Sequence, residues 1–274
     1  MSYKTLALDL DGTLTDSNKR VTPFTKKMVF AAKEKGVNIV LASGRPDVGI
    51  RALASELELD KRGGYILAFN GGRVVDCKTN QVVFETFFEK RYCDAVLSVK
   101  EKFSGVEVIT YSEKEILTEN ATQYVMEEQR CLSCPVTEVE NLSEHLPASI
   151  IKFLVVGEHE RLLPVEEYFK QNFAGKFDVY FSQPFFLEVV PLGVDKASAL
   201  ERLNLLTGNT KEQLMACGDG KNDMPMLRVA GLSVAMENAH PDVKAMADFV
   251  TADNDHDGVG LAVEKFIIKG ESLC

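Results

Sequence analysis

Thr5-Leu6-Ala7-Leu8-Asp9-Leu10-Asp11-Gly12-Thr13-Leu14 is the stretch from which the rest of the chain is read. Its opening residues are apolar and of strand length, and Gly12 ends the run. Asp9 and Asp11 lie two residues apart, so in an extended chain they point to the same side. A core strand that ends in two carboxylates needs something to offset the buried charge. Two readings stand at this point. Asp-Gly is a common turn pair; alternatively, the carboxyl end of a strand is where an open α/β sheet carries its site.

Outward from this stretch, strand and helix text alternates. Residues Thr25 to Lys35 have a helical pattern that Gly36 can end. Val37-Asn-Ile-Val-Leu-Ala42 reads as a strand, Pro46 to Glu58 as a helix, and Tyr65-Ile-Leu-Ala-Phe69 as a further strand running into the hairpin-turn pair Asn70-Gly71. Such alternation predicts a parallel sheet covered on both faces. Residues 84–186 differ, being rich in Glu, Lys and aromatics, and Ser149–Val156 and Asp178–Phe181 read as strands of an antiparallel sheet. From Leu187 the α/β text resumes, with strands at Leu214–Cys217 and Leu232–Ala235. The expected organisation is an α/β core made of residues 1–83 and 187–274, interrupted by an α+β insert at 84–186.

Three further stretches bear on the first. Cys217-Gly-Asp219-Gly-Lys-Asn222-Asp223-Met224 follows an apolar strand and supplies two more aspartates among glycines. Several carboxylates with a carbonyl are hard oxygen ligands of the kind that suit Mg²⁺. Ser43-Gly44-Arg45 also follows a strand; a hydroxyl with loop N–H groups can hold phosphate oxygens, although Ser-Gly is also an ordinary turn. Lys196, in Gly193-Val-Asp-Lys-Ala-Ser198, is placed near a helix start, where it reads either as a point charge for a phosphate or as a solvated surface lysine.

The chain has 274 residues, 45% of them hydrophobic, enough for one large core or two modest ones. Its net charge of −10 argues against nucleic-acid and anionic-membrane partners. No leader or membrane-spanning run is read, and the six cysteines show no disulfide spacing. A cytoplasmic protein with reduced thiols, monomeric or a weak homodimer, is expected.

The four stretches, in this order and each after an apolar run, resemble the four motifs of the haloacid dehalogenase (HAD) superfamily. Asn70-Gly71-Gly72 and Pro191-Leu-Gly-Val-Asp-Lys196 are similar to its Cof-type subfamily, and the insert resembles a C2-type cap. The resemblance implies a Rossmann-like doubly wound core and an Mg²⁺-dependent phosphatase. Asp9 would be the nucleophile, forming an aspartyl-phosphate, and a metal ligand. Asp11 would be the general acid and base, protonated when attack occurs, with its carbonyl on the metal. Asp219 would bind Mg²⁺, and Asp223 would bind it directly or through water. Leu10, Ser43, Gly44, Lys196 and Asn222 would hold the transferring phosphoryl group. The implied substrates are small phosphorylated metabolites, sugar phosphates first and then cofactors such as pyridoxal phosphate or flavin mononucleotide, with the cap closing over the site. A phosphomutase of the same superfamily and a catalytically silent binding module are the rival readings.

Other signals are weaker. Cys131-Leu-Ser-Cys134 lacks a second ligand pair for a zinc site. The histidines His145, His159, His240 and His256 are scattered. Asp253-Asn-Asp-His-Asp257 is only loosely like a calcium loop and reads as a helix N-cap before Gly258.

Overall fold

A computed structural model describes residues 2–112, 115–132 and 134–272. Cys274, counted above among the reduced thiols, lies outside the described residues. In chain order the strands are β1 (Thr5–Leu8), β2 (Asn38–Ala42), β3 (Tyr65–Ala68), β4 (Arg73–Asp76), β5 (Gln81–Glu85), β6 (Val106–Tyr111), β7 (Ile116–Thr118), β8 (Val136–Glu138), β9 (Phe153–Gly157), β10 (Phe177–Gln183), β11 (Phe186–Pro191), β12 (Leu214–Gly218), β13 (Leu232–Ala235) and β14 (Phe249–Val250).

The chain divides into two units, residues 1–84 with 195–274, and residues 85–194. The first edge falls one residue after the expected 83/84. The second, expected at 186/187, falls at 194/195. The reason is β11: it pairs antiparallel with both β10 and β9, so residues 187–194 complete the inserted unit rather than reopening the core.

The first unit holds one sheet in the order β14-β13-β12-β1-β2-β3-β4-β5. Pairing is parallel from β14 through β3, and β3–β4 is an antiparallel hairpin. All four residues of β1 are buried, as a central strand covered on both faces requires. Helices Pro23–Glu34 and Gly258–Val263 pack on each other, and Lys196–Thr207 packs against Met224–Val229. The unit is a Rossmann-like α/β fold.

Local chemistry sets the helix ends. Thr22 accepts a hydrogen bond from the Thr25 N–H at 3.2 Å, Pro23 opens the helix, and Gly36 at φ 79° follows its end. Asp195 caps Lys196–Thr207 reciprocally with Ser198, which fixes Lys196 as the first helical residue, and Gly208 at φ 71° closes the far end. The expected helix from Pro46 to Glu58 is shorter, Val48–Glu56, with Asp47 ahead of it. Asp253 caps a short turn at Asn254–His256 rather than the helix at Gly258, and the Asp257 carboxylate is taken up by the Thr22 and Thr25 hydroxyls.

The inserted unit has its own sheet, β10-β11-β9-β6-β7-β8, antiparallel except for the parallel pair β7–β8. Its core gathers Phe88, Val108, Phe153, Val155, Leu162, Phe169, Phe177 and Leu187. Ring pairs such as Phe88–Phe153, at 5.3 Å and nearly perpendicular, are geometries aromatic quadrupoles favour. Within this unit Lys152 and Glu188, 3% and 5% exposed, pair at 2.9 Å.

Candidate active site

The strand order reverses direction at β1. Its parallel neighbours are β2 on one side and β12 on the other, which makes the carboxyl ends of β1 and β12 the topological switch point of the sheet. Asp9 directly follows β1 and Asp219 directly follows β12.

Lys196 ties this point together. Its ammonium is wholly buried and donates to Asp9 Oδ1 at 2.6 Å, to Asp223 Oδ1 at 2.6 Å and to the Ala42 carbonyl at 2.9 Å. Asp9, Asp219 and Asp223 each bring a carboxylate oxygen within 4.8 Å of the others'. Asp223 is used at both ends: its Oδ2 accepts from the N–H groups of Asp219 and Gly220 at 3.0 and 2.9 Å, shaping the loop that presents Asp219. The Thr13 hydroxyl donates to Asp219 Oδ1 at 2.7 Å. Gly12, at φ 83°, leaves room for this carboxylate; a Cβ there would lie 2.6 Å from Asp219 Oδ2.

Three carboxylates thus share this point with one ammonium that bonds two of them, and the electrostatics reflect the imbalance. Burial, then the Asp223 charge, hold the Asp9 carboxyl well above its ordinary range, despite Lys196. Burial likewise pushes Asp219 up to about 6, against the Thr13 hydrogen bond. Burial alone would lower the Lys196 value, but the Asp223 and Asp9 charges outweigh it and raise it. Excess negative charge on hard oxygens in a small volume is a donor set that fits Mg²⁺.

The phosphate-binding candidates group around the same strand ends. Leu10 is buried, and its carbonyl accepts from the Thr13 and Thr15 N–H groups at 3.3 and 3.0 Å, which folds the chain back after Asp9. Ser43 is buried, and its Oγ accepts from the Arg45 N–H at 3.2 Å. Gly44 lies against the Asn70 amide, and Asn222 Nδ2 donates to Asn70 Oδ1 at 3.5 Å.

Asp11 is differently placed. Its carboxylate is absent from the buried trio and is instead gripped by Arg45, whose Nε and Nη2 donate at 2.9 and 2.6 Å, and by Lys19 Nζ at 2.7 Å. Partial burial works to raise its pKa, but Arg45 and Lys19 together lower it below the ordinary carboxylate value. Asp11 is expected to be protonated at the moment of attack, whereas Arg45 and Lys19 in this arrangement favour its ionised form. A forked guanidinium favours the ionised form.

Residues 6–263 match the profile of haloacid dehalogenase-like hydrolases. This chain belongs to that family. A Streptococcus pyogenes protein provisionally named a phosphatase is 32% identical over 276 residues, covering 98% of this chain and 100% of its own. A haloacid dehalogenase-like hydrolase from Bacteroides thetaiotaomicron has 37% identity and a TM-score of 0.91, covering 97% of this chain and 100% of that one. The subclass IIB sugar phosphatase BT4131 has 28% identity and a TM-score of 0.82, covering 96% and 98%. This haloacid dehalogenase-like hydrolase is a phosphatase-type enzyme.

Several groups of this hydrolase's site were not singled out from the sequence. Thr13 stands inside the first quoted stretch and Arg45 inside Ser43-Gly44-Arg45, so both were in view without a role. Lys19 carries no local signal. It reaches Asp11 because residues 16–20 turn back, with Asp16 Oδ1 accepting from the Asn18 and Arg20 N–H groups at 2.9 Å. The four histidines are all exposed. Among the described residues no helix is long and apolar enough to cross a membrane.

Proposed function

We propose that this enzyme is an Mg²⁺-dependent phosphatase acting on phosphate monoesters of small metabolites, with sugar phosphates first, through an aspartyl-phosphate on Asp9. The observation that carries the reading is the buried Lys196 ammonium, held between Asp9 and Asp223 at 2.6 Å each with Asp219 beside them. A carboxylate attacking a phosphate dianion needs the repulsion between them removed and the phosphorus held in line. Asp9, Asp219 and Asp223 would hold the metal, with the Asp11 carbonyl, and the metal when bound supplies charge neutralisation for the transferring group.

The protein's own groups do the rest. Lys196 fixes the Asp9 carboxylate and offers positive charge to a phosphate oxygen. Ser43, the Gly44 and Leu10 N–H groups and Asn222 hold the remaining oxygens. Asp9 Oδ forms the bond to phosphorus as the alkoxide leaves. Asp11, whose ionised form Arg45 and Lys19 favour, would take a proton from the water that cleaves the acyl-phosphate. Its service as the acid for the leaving alkoxide requires the Arg45 fork to open and a proton to be taken up.

Sugar phosphates stand first because the sugar phosphatase BT4131 shares the fold over nearly the whole chain. Phosphorylated cofactors stand second on the subfamily resemblance. The test is phosphate release from a panel of sugar phosphates and phosphorylated cofactors, with Mg²⁺ and in excess chelator. Release is expected only with metal. Asp9→Asn is expected to fold normally and to lose at least about 10³-fold in kcat, as removal of a covalent nucleophile does. Near-parental turnover of that variant would remove Asp9 from its role.

A further inference from the structure

The turn between β3 and β4 adopts a backbone that its sequence should avoid. Phe69 and Asn70 both have positive φ, 53° and 52°, and Gly71 follows at 107°. Asn tolerates the left-handed region and Phe does not do so readily. Non-glycine residues held there in succession point to a constraint imposed by the surroundings.

The surroundings are the elements that carry the phosphate-binding candidates. The Asn70 N–H donates to the Ser43 carbonyl at 2.9 Å, and the Phe69 N–H donates to the Arg45 carbonyl at 2.9 Å. The Asn70 side chain is 4% exposed, with its Nδ2 3.1 Å from where a Cβ on Gly44 would stand. Its Oδ1 accepts from Asn222 Nδ2 at 3.5 Å. Gly71 presses on the first turn of the helix that begins with Lys196; a Cβ on it would overlap the Asp195 carbonyl and lie 3.0 Å from Ala199 Cβ. One three-residue turn therefore touches the Ser43–Gly44 loop, Asn222 and the helix of Lys196.

We propose that Asn70 is a positioning residue for phosphate binding, its amide setting the separation between the Ser43–Gly44 loop and Asn222. The assignment rests on the phosphatase reading above. Its side chain is the polar link between a loop after β2 and a loop after β12, strands that are not neighbours in the sheet. The left-handed backbone is what aims that amide at both loops. A residue that served only the turn would need the backbone geometry and not the amide.

That difference is the test. Asn70→Gly keeps positive φ accessible and deletes the amide; Asn70→Asp keeps the shape and places a negative charge beside the phosphate-binding loops. The parent and both variants are assayed with Mg²⁺ for hydrolysis of a hexose phosphate, for inhibition by inorganic phosphate, and for thermal midpoint. The expected result is an unchanged midpoint for Asn70→Gly, with KM and the phosphate inhibition constant each raised about tenfold and kcat changed little, the pattern of lost uniform binding. Asn70→Asp should lose more than Asn70→Gly in both constants, because its charge opposes the phosphate. Parental KM and inhibition in Asn70→Gly overturn the proposal while leaving the phosphatase reading intact. A parent protein that neither releases phosphate nor is protected thermally by inorganic phosphate overturns both.

Discussion

Lys196 occupies the first position of its helix, where the positive end of the helix dipole disfavours a cation. It is tolerated, wholly buried, because two carboxylates and a carbonyl close around it. Those carboxylates and Asp219 in turn hold more negative charge than one ammonium offsets, and a pH dependence follows. A carboxyl whose folded value is raised above its unfolded one stabilises the fold below the unfolded value and loses that contribution as pH rises through the folded one. With Asp219 raised to about 6 and Asp9 raised well above the ordinary range, metal-free protein is expected to lose thermal stability as pH rises past about 4. Metal binding requires those protons to leave, so Mg²⁺ should raise the melting midpoint little at about pH 5 and clearly at about pH 8, with roughly 2.7 kcal/mol gained at a hundredfold excess over its Kd. Scanning calorimetry with and without Mg²⁺ checks this; an Mg²⁺ effect equal at both pH values would count against a site built on these carboxylates. Asp9, Lys196, Asp219 and Asp223 stood out in the sequence through the order of their motifs along the chain, since each stretch alone also reads as a turn, a loop or a surface lysine. The grip of Arg45 and Lys19 on Asp11 was not, since it depends on side-chain reach across 34 and 8 positions that no periodicity records.

Among the elements, strands and helices of the core follow the alternation in the sequence closely, and the departures have local causes. The α/β text was read as resuming from Leu187; the pairing of β11 with β9 and β10 places that strand in the insert. Asn70-Gly71 reads correctly as a hairpin turn, but the left-handed Phe69 is visible only in the folded chain. That turn supplies a prediction. Gly71→Ala introduces a Cβ at φ 107° against the Asp195 carbonyl, with no flexible side chain to yield. A loss of about 2 kcal/mol or more is expected, from backbone strain with steric overlap. Urea titration measures it, and a variant as stable as the parent would mean that the turn and the helix start can separate at no cost.

At the scale of the whole molecule, the two units differ in what they need from the rest of the chain. The inserted unit is continuous and contains both its sheet and its core. Residues 85–194 produced alone are expected to melt cooperatively by circular dichroism, as a unit with its own core should. Residues 1–84 alone are expected not to, because β1 then lacks β12, its partner over all four residues. A cooperative transition in the shorter piece would show that the half-sheet suffices. An α/β pattern that stops and resumes implies a sheet assembled from both ends of the chain, and the pairing of β1 with β12 is of that kind; the edge after β11 was not legible, because it depends on strand pairing.

The pairing of Leu8 with Cys217 also has a consequence in time. On a ribosome adding ~5–20 residues per second, the strand that bears Asp9 waits roughly 10–40 s for the strand that bears Asp219. During that wait an apolar, unpaired strand edge is open to other chains, while the insert can fold on emergence. Newly made protein should therefore depend on chaperone protection until β12 arrives, and its acidic centre should form among the last features of the nascent chain.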